Sequence, residues 1–178
     1  MSENINIEFE AVNLEELPLF IKKLQESFTI AVEEKFGMSE PIPSEDDIRS
    51  SFHSKGAETY HLVFNKQRIG GVVLTINEET QHNSLDLFFI SPEHHGHGLG
   101  LIAWNAIEKK YPNTLVWETI TPYFEERNIH FYVNKCGFRI VEFFNKYHIN
   151  PNMPCSKNLS DESTEEPDTS FRFEKIMK

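Results

Sequence analysis

Cysteine is nearly missing from this chain. Cys136 and Cys155 are the only two among 178 residues. A single pair offers neither a disulfide framework nor a set of zinc ligands. Long apolar runs are missing too: no stretch of about 18 apolar residues occurs, so no membrane span is expected. Met1 to Glu10 carries no basic segment leading into an apolar one, so no export signal is expected there either. Basic residues are scarce, with 17 Lys and Arg against 28 Asp and Glu and a formal net charge of −11. A chain without a basic face has little to offer a phosphate backbone, which removes nucleic acid from the expected partners. These absences together point to a cytoplasmic protein with free thiols.

What is present is a globular balance. Hydrophobic residues make up 39% and charged residues 25%, and fifteen of the aromatics are Phe. A chain of this length buries a sizeable core unaided, so residues 1–178 are read as one domain. Ile5, Ile7, Phe9 and Ala11 alternate with polar residues as a half-buried strand does. Asn13, with Glu16 three positions on, then caps an apolar stripe at Leu17, Phe20, Ile21, Leu24, Phe28, Ala31 and Val32. This makes one helix or two closely joined ones, because Pro18 falls near its start, and Gly37 ends it. After the connector Pro41-Ile42-Pro43, Ser44 and Asp47 suit the start of a short helix through Phe52.

Thr59 to Phe64 and Ile69 to Ile76 read as an antiparallel hairpin around the turn Asn65-Lys66-Gln67-Arg68. Leu85 to Ile90 is apolar at nearly every position except Asp86, as expected of a strand covered on both faces. A helix follows from Gly100 to Tyr111, closed by Pro112, and then a short strand from Leu115 to Trp117. Phe124 to Cys136 is helical and stopped by Gly137, after which Phe138 to Phe144 returns as a strand. His148 to Ser170 is a long polar loop with an acidic run, and Phe171 to Met177 supplies a last alternating strand. The pattern is α/β, with six to seven strands and about four helices.

Between the buried strand and its helix lies Ser91-Pro92-Glu93-His94-His95-Gly96-His97-Gly98-Leu99-Gly100. Glycines at alternate positions let the backbone turn tightly and present successive N–H groups, and the positive end of the following helix adds to them. Such a concavity holds a polyphosphate without any lysine. A P-loop requires Lys and then Ser or Thr after the last Gly, where this chain has Leu101 and Ile102. A dinucleotide fingerprint requires a third Gly where Leu101 stands, although Glu118 falls about where that motif wants its acid. A purely structural Gly-rich turn is the plain alternative. His94, His95 and His97 also raise the thought of a metal tract, but neighbours in a glycine loop converge poorly, and no metal is expected.

The loop resembles the cofactor motif of the GNAT superfamily, the acetyl-CoA-dependent N-acetyltransferases. That motif is Gln or Arg, two residues, Gly, one residue, then Gly or Ala, after a strand and opening a helix. Here His95 stands where Gln or Arg is usual, and Gly98 and Gly100 are the paired small residues. Asn128 to Phe138 is similar to the family's late helix, which ends in Tyr, a short spacer and Gly-Phe. The spacer after Tyr132 is one residue longer than the commonest form. The resemblance spans roughly Thr59 to Phe144.

The resemblance implies a mixed, mostly antiparallel sheet of six to seven strands, splayed between its fourth and fifth strands, with acetyl-CoA as co-substrate in the gap. It places Phe89, Ile90 and Ser91 at the edge that pairs with the pantetheine amides. His95, Gly96, His97, Gly98, Leu99, Gly100 and Leu101 lie along the pyrophosphate loop, and Asn128 is a further cofactor contact. Tyr132 takes the role of the acid that protonates the departing thiolate. The attacking amine must lose a proton first, for which Asp86 and Glu118 are candidate bases. The implied acceptor is a primary amine, a small molecule in preference to a protein, and dimerisation, common in the family, stays open. Each side chain also has a plainer reading: Asp86 and Glu118 as structural carboxylates, and Tyr132 as core between Phe131 and Phe138. Two rival functions remain beside the transferase. One is a GNAT-like module that binds acyl-CoA without turnover, and the other is a nucleotide-binding oxidoreductase.

Overall fold

The computed structural model describes residues 6–36, 44–151 and 169–177. Gly37, the Pro41–Pro43 connector, Cys155 and the acidic run of the late loop lie outside the described residues. Among the described residues seven strands form one sheet in the order β1-β2-β3-β4-β5-β7-β6. They are β1 (Glu8–Ala11), β2 (Ala57–Phe64), β3 (Gln67–Thr75), β4 (His82–Ile90), β5 (Val116–Pro122), β6 (Arg139–Phe144) and β7 (Ser170–Ile176). Among the described residues the α-helices are α1 (Leu17–Phe36), α2 (Glu45–His53), α3 (Leu99–Lys110) and α4 (Glu126–His130). β1 to β4 pair antiparallel in turn, β6 pairs antiparallel with β7, and β4 and β5 run parallel. The chain divides into two compact units, Met1–Glu118 with Ile176–Lys178, and Thr119–Lys175.

In the first unit, α1 forms because the Asn13 side chain accepts the Glu16 N–H at 2.9 Å and so fixes the turn that leads into it. Pro18 is the second residue of this one continuous helix, where no intrahelical N–H is needed, so it does not break the element. Ser44 caps α2 by accepting the Asp47 N–H at 3.2 Å, with three acids in the first turn complementing the helix dipole. Leu17, Phe20, Ile21 and Leu24 of α1 and Ile48 of α2 form one core with Val73 of β3 and Phe89 of β4. Each such side chain contributes about 1.5–3 kcal/mol by leaving water. Gly71 makes the close approach possible: a Cβ there would stand 2.3 Å from the Phe20 ring.

Several boundaries differ from the sequence reading, and three of the differences have a clear physical reason. The β2–β3 turn is two residues long, because Asn65 and Lys66 both take the left-handed backbone region (φ 49° and 65°) and Phe64 pairs directly with Gln67. That is the hairpin geometry whose twist matches the flanking strands. β4 starts three residues earlier than its apolar run: buried Asn83 accepts from the Asn77 N–H and donates to Thr114, each at 2.8 Å. β5 continues past Trp117 through the buried Thr119 and Thr121. In both strands polar side chains are buried with partners, a pattern that hydrophobic periodicity does not register.

In the second unit, Tyr132, Cys136, Phe138, Phe144 and Phe173 are buried. The helix expected from Phe124 to Cys136 is instead α4 followed by a π-helical stretch, Phe131–Cys136. Gly137, at φ 85°, closes it and donates its N–H to the Tyr132 carbonyl. A π-turn houses one residue more than an α-turn, which accounts for the long spacer between Tyr132 and Gly137.

The hairpin turn yields a stability test. Lys66 holds a left-handed conformation that a β-carbon disfavours, so Lys66→Gly is expected to stabilise the protein by about 0.5–1 kcal/mol. Urea unfolding should show a higher midpoint with an unchanged slope. An unchanged or lower midpoint counts against the turn geometry.

Candidate active site

The strand β4 delivers two features of chemical interest, one in its middle and one at its end. In the middle, Val73 of β3 faces Leu87 whereas Leu74 faces Leu85, so Asp86 is the extra residue of a β-bulge. Bulges re-aim side chains and gather near active sites. Asp86 accepts hydrogen bonds from the hydroxyls of Thr75, at 2.5 Å, and Ser84. Burial pushes its carboxyl above the usual aspartate range, while the two hydroxyl bonds pull the other way. Both anchoring donors are neutral, so they orient the group without the pull of a cation.

At its end, β4 runs into Ser91, whose N–H donates to the Ile69 carbonyl at 2.8 Å and locks the loop to β3. A short 3-10 turn, Pro92–His94, follows. His94 and His95 donate their main-chain N–H groups to the Ser91 and Pro92 carbonyls, at 2.9 and 3.2 Å. Gly96 (φ 83°) and Gly98 (φ 70°) then take the left-handed region, and a Cβ built on either would meet nothing within 4 Å. Gly98 is the N-cap of α3, and the first N–H to return into the helix is that of Ile102, to the Gly98 carbonyl at 3.3 Å. Among the described residues, the main-chain N–H groups of Gly96 through Leu101 pair with no main-chain carbonyl. The loop therefore offers a run of free donors beside open space at the positive end of a twelve-residue helix. The diphosphate of a nucleotide cofactor fits this donor set. His95 is excluded as a main-chain donor because its N–H is already engaged.

The other expected residues fall as follows. Phe89 buries its ring against Phe20, with centroids 5.5 Å apart, so only its backbone is available at the strand edge. Ile90 pairs with Gly70 of β3, and Ser91 is buried. His97 is exposed, Leu99 is buried and Leu101 is half-buried. Glu118, half-buried on β5, is the last residue of the first unit's main segment. Among the described residues no three His, Cys, Asp or Glu side chains are grouped as metal ligands.

Asn128 and Tyr132 belong to the second unit. Asn128 is half-buried on α4. Tyr132 is 5% exposed and its ring packs edge-on to Phe131 and Phe138 and tilted against Phe173. Burial raises its hydroxyl well above the ordinary tyrosine range; the neighbouring Cys136 and Glu125 add to this, and a hydrogen bond with Thr119 opposes it. A phenol so placed stays protonated at neutral pH. Sequence reasoning missed Thr119 and the buried Glu125, whose involvement depends on the π-turn and on the extension of β5.

Residues 21–138 match the profile of the acetyltransferase (GNAT) family. The chain belongs to that family. A relative in sequence is the uncharacterized protein YrkN of Bacillus subtilis strain 168, 56% identical over 165 residues, or 92% of this chain and 89% of that one. Solved GNAT folds align over almost the whole chain. An acetyltransferase of Thermus thermophilus aligns at TM-score 0.66 and 16% identity, covering 97% of this chain and 98% of its own. The spermidine N-acetyltransferase of Vibrio cholerae, solved with CoA and spermine, aligns at 0.64 and 17%, covering 96% and 95%.

Asp86 provides a test by pH. Its proton is held more tightly in the folded chain than in the unfolded one, so its contribution to stability is fully present below the ordinary aspartate range. That contribution fades as pH rises through the elevated folded value. Asp86→Asn removes the titration. Thermal unfolding from pH ~4 to ~7 should show the variant gaining on the wild type as pH rises; parallel curves would mean that Asp86 titrates normally.

Proposed function

We propose that this GNAT protein transfers the acetyl group of acetyl-CoA to a primary amine of a small molecule. The observation that carries the proposal is the run of free main-chain N–H groups from Gly96 to Leu101 beside open space, which suits the CoA diphosphate. Asn128 is assigned to the cofactor on its motif, and the backbone of Phe89, Ile90 and Ser91 to the pantetheine arm. Acetyl-CoA supplies an activated thioester carbonyl, and the chain has to supply proton traffic and position.

An amine acceptor arrives mostly as ammonium near neutral pH and is inert until it loses a proton. Asp86 is assigned as the base, directly or through one water. Its burial strengthens its hold on a proton, and Thr75 and Ser84 fix its orientation. Glu118 is the second candidate. The thiolate that departs is a poor leaving group unless protonated, and Tyr132 is assigned as donor because its hydroxyl keeps its proton at working pH. Net acidity favours the approach of cationic acceptors. The packing of Tyr132 among Phe131, Phe138 and Phe173 also favours a second reading, acyl-CoA binding without turnover.

Release of free CoA thiol over a panel of polyamines, amino sugars and amino acids separates the two. Turnover with at least one amine is expected, falling about 10²-fold in Asp86→Asn and 10–10²-fold in Tyr132→Phe. Tyr132→Phe also loses about 1 kcal/mol of stability through the Thr119 bond. CoA that stabilises the protein while no amine is acetylated would establish the binding module instead. Stabilisation by a nicotinamide dinucleotide but not by CoA would overturn both.

A further inference from the structure

Away from the glycine loop and from Asp86, the first unit gathers three aromatic rings around one ammonium group. Lys110, the last residue of α3, holds its Nζ 5.3 Å from the ring centre of Phe9 on β1, 5.0 Å from that of Tyr60 on β2 and 5.7 Å from that of Tyr111. All three lie within the roughly 6 Å over which a ring face attracts a cation. The rings are themselves held: Phe9 meets Tyr60 edge-on at 5.7 Å, and Tyr111 meets the buried Trp117 edge-on at 6.0 Å. The two phenols converge on Glu58, whose carboxylate accepts from the Tyr60 hydroxyl at 3.0 Å and from that of Tyr111.

The charges of this cluster are not matched to one another. Among the described residues Glu58 forms no ion pair, and the Lys110 ammonium forms neither an ion pair nor a hydrogen bond. A primary ammonium carries three N–H donors and is strongly hydrated, so ring faces alone serve it poorly. An ammonium with alkyl groups in place of those hydrogens has no donors to satisfy, and rings beside a carboxylate are the surroundings it favours. We propose that Phe9, Tyr60, Tyr111 and Glu58 form a binding site for a small quaternary ammonium compound, with Lys110 as the internal occupant that this ligand displaces. Lys110 is exposed, so its side chain can leave without opening the core. A lysine in the last turn also suits the helix dipole, which accounts for its place on α3 but not for the three rings.

The site is separate from the proposed acetyl-transfer centre. Val73 belongs to the core under α1 and α2, whereas Tyr60 and Glu58 pair with its neighbours Val72 and Leu74, so both point to the opposite face of the sheet. Thr75, two residues beyond Val73, shares the α1 and α2 face and donates to Asp86. The carboxyl assigned as base therefore lies across the sheet from Glu58, and an amine bound at Asp86 leaves the cage free. What joins the two is α3, which ends at the cage and begins at the glycine loop.

NMR titration of the full chain with choline chloride, following the amides of Phe9, Tyr60 and Tyr111, tests the site without CoA and so independently of the loop. Saturable shifts confined to this cluster are expected with choline, and none with the alcohol in which carbon replaces its quaternary nitrogen. Lys110→Gln removes the internal competitor and should tighten choline binding about two- to fivefold. Glu58→Gln keeps an amide oxygen for the phenols but removes the negative charge, and should weaken binding by a similar factor, about two- to fivefold. Opposite effects of the two substitutions distinguish a cation site from a cage that only anchors the end of α3, for which both would lower stability and neither would affect a ligand. Absence of saturable shifts in the wild type, equal binding of the uncharged alcohol, or a choline Kd that neither substitution alters would each overturn the proposal.

Discussion

The arrangement depends on leaving main-chain hydrogen bonds unmade. A folded chain normally pairs its N–H groups, yet the segment from Gly96 to Leu101 carries successive donors with no main-chain acceptor among the described residues. Three devices keep them so. Ser91 bonds to Ile69 and fixes where the loop leaves the sheet, the left-handed glycines at 96 and 98 turn the backbone, and Leu99 and Trp104 bury α3 so that its N-terminus is held in place. The side chain of His95 adds a fourth anchor through Ile90.

The rest of the first unit can be understood as support for that segment. The core of α1 and α2 against β3 and β4 includes Phe89, one residue before the strand end that the loop springs from. The bulge at Asp86 lies on the same strand, so a change in the register of β4 would move the carboxylate and the loop together. Burial of Asp86 among hydroxyls has a stability penalty at neutral pH, a sign that position and proton affinity matter there more than packing does.

The glycine loop was legible because its constraint is local: spacing of glycines between a strand and a helix needs no tertiary information. The same holds for the Asn13 and Ser44 caps and for Gly137. What escaped depends on partners distant in sequence. The start of β4 and the second half of β5 are lined with the buried Asn83, Thr119 and Thr121, and the bonds of Asn83 to Thr114 and of Thr119 to Tyr132 are ones that periodicity cannot show. The π-turn at Phe131–Cys136 was visible only as an anomaly, one residue too many between Tyr132 and Gly137, without its structural meaning. The tether of the His95 ring escaped as well, since nothing in a linear motif reveals a bond from residue 95 back to residue 90.

The most direct measurement is backbone amide NMR of the glycine loop during titration with CoA. Large downfield shifts and slowed exchange are expected at Gly96, Gly98 and Gly100, with little change when acetyl-pantetheine without its nucleotide diphosphate is added. CoA binding that leaves these three amides unshifted would contradict the claim that the loop's backbone holds the diphosphate.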